Sequence, residues 1–239
     1  PPIALHNSSS WTYTGPFLPP TSLPSSFHTW HSQTISGSLL PTLTPLLHLI
    51  SSFLSSANLT HYCLTIRAAR ACDDFNTPRW HVDDQFFNPS STPTAKGYWK
   101  LCATLQGPGT LFLTNGAQAR KTLKAVTAAA RKAAPRHTCS AVRCVACGLT
   151  SEAVRADLAW EMRGAEVRQS SLGEAVFFRI GGREGAVHSE PPICGDRIFV
   201  NVVPGTEREL RDLMGRWGVG YPRAWSWGVP GAIGVGEEE

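Results

Sequence analysis

The chain has 239 residues, 42% of them hydrophobic, and its 22 basic and 18 acidic side chains leave a net charge of +4. That length suits one large domain or two small ones with a sizeable core, and the charge is too mild to imply a nucleic-acid partner by itself. No stretch of about 18 consecutive apolar residues occurs, so no membrane span is expected.

The chain opens Pro-Pro-Ile-Ala without a Met, as a fragment would. Residues 1–46 are rich in Pro, Ser and Thr and lack sustained periodicity, which predicts an extended or loosely packed arm. Trp11, Tyr13, Phe17, Phe27 and Trp30 are too many aromatics for a disordered tail, so the arm is expected to lie against the domain in places. His28 and His31 flank Trp30 and are read as ordinary packing or surface histidines. Asn7-Ser8-Ser9 and Asn58-Leu59-Thr60 match the glycosylation triplet, a pattern frequent by chance.

Leu46, Leu47, Leu49, Ile50, Phe53 and Leu54 form a helical stripe after Pro45, predicting a helix over about 42–56 with His48 on its edge. His61 to Ala68 alternates and is β-rich, so a strand is expected. Asp73, Asp74, Asn76 and Pro78 form a turn before a strand carrying Trp80-His81-Val82-Asp83. A Pro/Ser loop covers 88–94. Gly97 to Leu105 is the next strand, and Gly107-Pro108-Gly109 predicts a tight turn into a returning strand at 110–113, making a hairpin.

Residues 117–134 are Ala-rich and predict the strongest helix of the chain, ended by Pro135. Arg120, Lys121, Lys124, Arg131, Lys132 and Arg136 follow with no acid among them, a set that suits phosphate contacts or, more simply, a solvated outer face. His137, Cys139, Cys144 and Cys147 come next. Cys144-Val145-Ala146-Cys147 has zinc-ligand spacing, yet all four candidates crowd into a short stretch, so thiols without metal are the simpler reading. Seven cysteines, an odd number in a long chain, suggest reduced thiols in the cytoplasm or nucleus. A short helix is expected over 151–163, strands near 166–169 and 174–180, a glycine turn before His188, a final strand over 196–203 and a last helix over 207–217. The tail, 218–239, reads as peripheral. Within the domain at 47–217, the segment at about 117–163 is a helical insert.

Many short strands punctuated by Gly and Pro suit a sandwich or jelly roll, mainly β with flanking helices. On a strand, His81 and Asp83 project to one face, which is two-thirds of a 2-His-1-carboxylate iron site. His188 is the natural third ligand. Three protein ligands on Fe(II) leave room for a bidentate oxo-acid and O2. A 2-oxoglutarate co-substrate also needs a buried cation for its distal carboxylate; Arg197 on the strand after His188 and Lys100 on the strand after His81 are the candidates. Trp80, Tyr98 and Trp99 would help wall the pocket.

The segments Pro78 to Asp83, Lys100 to Thr110 (with Gly107-Pro108-Gly109-Thr110) and Val187-His188-Ser189-Glu190-Pro191-Pro192 with Arg197 to Val200 resemble domain of unknown function 1826, an uncharacterised family of bacteria and fungi, over roughly residues 60–205. That family is similar in pattern to Fe(II)- and 2-oxoglutarate-dependent oxygenases. The resemblance implies a double-stranded β-helix with His81, Asp83 and His188 as iron ligands, and hence a dioxygenase of hydroxylase or demethylase type; it supplies no substrate. The arm, the basic helix and the cysteine cluster inherit nothing from it. Two alternatives stand beside this expectation: a β-sandwich binding module without catalysis, and a cupin-type metalloenzyme that does not use 2-oxoglutarate.

Overall fold

The computed structural model describes residues 2–83, 86–87, 98–135, 144–181 and 183–229. In chain order the elements are β1 (Ala4–Leu5), β2 (Ser9–Pro16), α1 (Ser25–Thr34), β3 (Ile35–Ser36), α2 (Leu40–Ser56), β4 (His61–Ala69), β5 (Trp99–Gln106), β6 (Leu111–Leu113), α3 (Gly116–Ala133), α4 (Val145–Glu161), β7 (Val167–Gln169), β8 (Ala175–Arg179), β9 (His188–Ser189), β10 (Arg197–Gly205), α5 (Glu207–Arg216) and β11 (Arg223–Trp227). A six-stranded sheet runs β11-β2-β4-β10-β5-β8, a three-stranded sheet runs β7-β6-β9, and β1 pairs with β3. All pairings are antiparallel and no sheet is closed. Helix, at 36%, outweighs strand, at 29%, so the chain is a mixed helix-and-antiparallel-sheet protein, not a mainly β one.

β10 lies in the middle of the large sheet because its sequence, Ile198 to Val203, is apolar on both faces. Ile198, Val200 and Val202 join Leu64, Ile66, Leu101 and Ala103 in the largest core cluster. α2 covers that face with Leu43, Leu46, Leu47, Ile50 and Leu54, as its stripe predicts. Pro41, not Pro45, takes the favourable N-terminal place, and Pro45 falls inside the helix.

Three expectations are corrected. The first 46 residues are not a loose arm: β2 is an interior strand, bonded to β4 and β11, and Trp11, Phe27 and Trp30 are among the most buried side chains. Pro and Ser residues before, within and after β2 hid the alternation of Ser-Trp-Thr-Tyr-Thr. Residues 223–227 are not peripheral, because β11 pairs with β2. Finally, β5 and β6 are not a hairpin. β5 pairs with β10 and β8, whereas β6 pairs with β7 and β9. Gly107-Pro108-Gly109 therefore carries the chain from one sheet to the other. Gly107 has φ +81°, and a Cβ on Gly109 would lie 1.9 Å from the Ser170 carbonyl oxygen, so neither place takes a larger residue without a shift.

α3 and α4 pack together on the small sheet, burying Ala119, Leu158 and Met162 with Trp80, Leu113 and Val187. α4 begins at Val145, ahead of the expected start at 151, with Cys144 as its N-cap and Cys147 in its first turn. His137 and Cys139, the other nominal zinc ligands, lie outside the described residues, as do Arg136 and the 88–94 loop. No helix among the described residues is long and apolar enough to cross a membrane.

The N-terminal segment is tied down by one buried chain of hydrogen bonds. Trp30 Nε1 donates to Ser9 Oγ at 2.9 Å, and Ser9 Oγ lies 2.7 Å from Thr34 Oγ1. Trp30→Ala should therefore lower unfolding free energy by about 3–5 kcal/mol in a denaturant titration. Trp160→Ala, at a side chain 67% exposed, should change it by no more than about 0.5 kcal/mol.

Candidate metal centre

His81 is not part of a named strand; it forms an isolated antiparallel bridge with His188. The His81 N–H donates to the His188 carbonyl at 3.0 Å and the His188 N–H to the His81 carbonyl at 2.9 Å. Such a doubly bonded pair places both side chains on one face of the sheet. The imidazole rings accordingly face each other with centroids 4.4 Å apart. Trp80, Val82 and Val187, the alternate residues, point the other way into the α3–α4 layer.

Asp83 joins the pair from two residues beyond His81. Its backbone carbonyl accepts from the Gly181 N–H at 2.8 Å, which ties the segment to the loop leading to β9. His188 Nε2 lies 3.4 Å from Asp83 Oδ2, and His81 Nε2 lies 3.9 Å from Asp83 Oδ1. The ligand atoms of all three residues fall within 4.8 Å of one another. An ion with bonds of about 2.1 Å sets neighbouring ligand atoms about 3 Å apart, so this group could hold a metal ion after side-chain shifts of less than an ångström. Among the described residues it is the group of His, Cys, Asp and Glu with that property.

The imidazole tautomers are set by the backbone. His81 Nδ1 lies 2.7 Å from the Arg79 carbonyl and His188 Nδ1 lies 3.0 Å from the Ala186 carbonyl. A carbonyl only accepts, so each Nδ1 carries a proton and each Nε2 is the ring nitrogen turned toward Asp83. Burial, then the neighbouring His81 ring, pushes the His188 imidazolium down to about 4, which keeps His188 neutral and ligand-competent at neutral pH. Burial alone would raise the Asp83 carboxyl, but the Lys100 ammonium and the two imidazoles outweigh it and hold the pKa below its ordinary value. The centre therefore combines two imidazoles, each anchored through Nδ1, with one carboxylate.

The two candidate anion anchors are placed differently. Lys100 Nζ donates to Asp83 Oδ2 at 2.8 Å, with both side chains largely buried, so its charge is already engaged at the Asp83 carboxylate. Arg197 is 4% exposed. Its Nε donates to the Pro108 carbonyl at 2.9 Å and its guanidinium lies 4.6 Å from the Phe199 ring centroid, but one Nη is buried without a hydrogen-bond partner among the described residues. Burial pushes its pKa down to about 10. Between the two cations lies Cys102, buried, its Sγ 3.9 Å from Thr110 Oγ1.

Of the three aromatic residues expected to wall the pocket, only Tyr98 stands on the Lys100 side, packed with Phe86 and Phe87. Trp80 faces the helical layer. Trp99 alternates away from Lys100 and lies under the Arg179 guanidinium at 4.4 Å. The rings that do face His188 are Phe178 and Phe112, at 4.9 and 5.8 Å. Phe112 is register partner to His188 and Phe178 to Lys100; their apolar strands carried the signal of burial, but not of which strands would meet.

No family model matches the chain, and no curated protein matches it. Among solved structures, the plu4264 protein from Photorhabdus luminescens is similar to it at 7% identity over 66% of this chain and 72% of that one, with a TM-score of 0.28, a likeness too slight to bear on the site.

Two outcomes follow from this geometry. An added Cβ at Gly185 would lie 2.2 Å from Val82 Cγ1 and 2.6 Å from the Gly181 carbonyl oxygen; Gly185→Ala should cost about 1–3 kcal/mol and weaken divalent-metal binding in isothermal titration. In the metal-free protein, His188 has a folded pKa below its unfolded value, so its contribution to stability is full above about pH 6.5 and is lost as pH falls toward about 4. His188→Gln should remove that part of the pH dependence of unfolding.

Proposed function

We propose that the protein is a mononuclear non-haem iron oxygenase that uses 2-oxoglutarate, with His81, Asp83 and His188 holding Fe(II). The single observation that carries this reading is the convergence of two Nδ1-anchored imidazoles and one carboxylate at a partly buried site, the donor set suited to ferrous iron with open positions. The two facing sheets are then read as the halves of a double-stranded β-helix, with the resemblance to domain of unknown function 1826 pointing the same way.

The residues present fit the co-substrate as well. A buried guanidinium with an orphaned Nη needs an anion, and Arg197 is assigned to the distal carboxylate of 2-oxoglutarate. Lys100 is assigned elsewhere: it occupies Asp83 Oδ2 and leaves Oδ1 facing His81, so it orients the carboxylate. Bound here, Fe(II) with 2-oxoglutarate and O2 would supply oxidation of a substrate C–H bond, coupled to loss of CO2 from the oxo-acid to give succinate. The chain's own part is to hold the ligand lone pairs inward through Arg79 and Ala186, to keep Asp83 ionised through Lys100, and to exclude water with Phe112 and Phe178. The alternative of a non-catalytic binding module predicts no convergence of His, Asp and His. The alternative of a metalloenzyme without 2-oxoglutarate predicts no anion at Arg197.

The test is anaerobic titration of the apo-protein with Fe(II) and then 2-oxoglutarate, followed by the visible charge-transfer band of the chelate. The band is expected only with both, and His188→Ala should abolish it together with iron binding. Arg197→Gln should leave Fe(II) affinity within about twofold and weaken 2-oxoglutarate by at least tenfold, the loss of a charge-assisted hydrogen bond. Tight Fe(II) binding without a band would leave the metalloenzyme that does not use 2-oxoglutarate; no iron binding would leave the binding module.

A further inference from the structure

The positive charge of the protein is concentrated on α3. Arg120, Lys121, Lys124, Arg131 and Lys132 are its only charged residues, and 22 basic residues less these five leaves 17 against 18 acidic ones in the rest of the chain. The helix thus carries +5 and the rest of the chain −1. Lys121, Lys124, Arg131 and Lys132 are exposed, and none of the five takes part in an ion pair among the described residues. The helix is also joined to the metal centre. Arg120 Nη1 donates to the Gly185 carbonyl at 3.2 Å, in the loop that ends at His188, and exposed Arg183 stands in the same loop.

We infer that the outer face of α3 docks single-stranded nucleic acid; the docking does not depend on the oxygenase reading above. From Lys121 to Lys132 the helix rises about 16 Å, the reach of about four nucleotides. The exposed residues between the cations are Ala125, Ala128 and Ala129, a flat surface with none of the aromatic or aliphatic anchors an acidic peptide would need. A phosphate backbone needs only the cations. An anionic membrane fits less well, because the apolar side of α3, with Ala119, Leu123 and Val126, is already packed against α4 and the small sheet and has nothing to insert. A duplex fixes its phosphates on a rigid curved surface, whereas a flexible single strand can follow the line of cations along one helix.

The experiment is fluorescence anisotropy of a labelled oligo-dT of about 20 nucleotides with the full metal-free chain over a range of salt concentrations. Four phosphate contacts predict a slope of log affinity against log salt of about −3. The variant Lys121→Gln/Lys124→Gln/Arg131→Gln/Lys132→Gln should lose at least tenfold in affinity at low salt and flatten that slope, with an unchanged circular dichroism spectrum. Lys121→Arg/Lys124→Arg should bind like the wild type. Unchanged binding by the glutamine variant, competition by poly-glutamate of equal charge as effective as unlabelled oligo-dT, or tighter binding of a duplex of the same length would each overturn the inference. Fe(II) titration of the same preparation separates the two readings. Oligo-dT binding without iron binding fells the oxygenase and keeps the docking face; iron binding without oligo-dT binding does the reverse.

Discussion

Everything about the candidate centre depends on one pair of backbone hydrogen bonds, those exchanged between His81 and His188. They join two segments distant in the chain and set their register. Because side chains alternate along an extended backbone, that register decides at once that the two imidazoles and Asp83 face inward while Trp80, Val82 and Val187 face the helices. A slip of one residue would invert the whole set, burying histidines among α3 and α4 and presenting valines to the interior. The glycine approaches around the pair, Gly185 on Val82 and Gly181 on the Asp83 carbonyl, leave little room for such a slip.

Charge is handled differently at the two ends of the interior. At one end Lys100 and Asp83 neutralise each other at 2.8 Å, so the carboxylate stays ionised although largely buried. At the other, Arg197 keeps its guanidinium between the Pro108 carbonyl and the Phe199 ring with a donor left over. A buried cation so poorly matched is costly unless an anion completes it. The contrast assigns different roles to two residues that look equivalent in sequence, each a basic side chain on an apolar strand.

Much of this was legible in the sequence for identifiable reasons. Alternation marked β4, β5 and β10, the leucine stripe marked α2, and alanine content marked α3. The spacing of His81 and Asp83 on an extended segment marked two members of the group, and His188 stood out as a polar residue beside a turn. What was not legible depends on which strands meet. Gly107-Pro108-Gly109 announces a change of direction but not the sheet entered, so β5 and β6 were expected to pair. The β2 strand was obscured by the prolines and serines around it. The partnership of Lys100 with Asp83 rests on the approach of β5 to the residues after His81, and no local pattern encodes it. Phe112 and Phe178 carried no distinguishing mark among other apolar strand residues.

His81 and His188 sit on the most sparsely bonded backbone of the small sheet, a two-residue strand and a single bridge, while the six-stranded sheet behind them is continuous. Sparse pairing means that this corner opens locally at a free energy well below that of global unfolding. A divalent ion joining Asp83 to His188 would close a long loop of the chain and oppose that opening through mass action. Metal occupancy would then be read out far from the metal itself, as slowed exchange of the amide protons of His81, Leu113 and His188 against solvent deuterium.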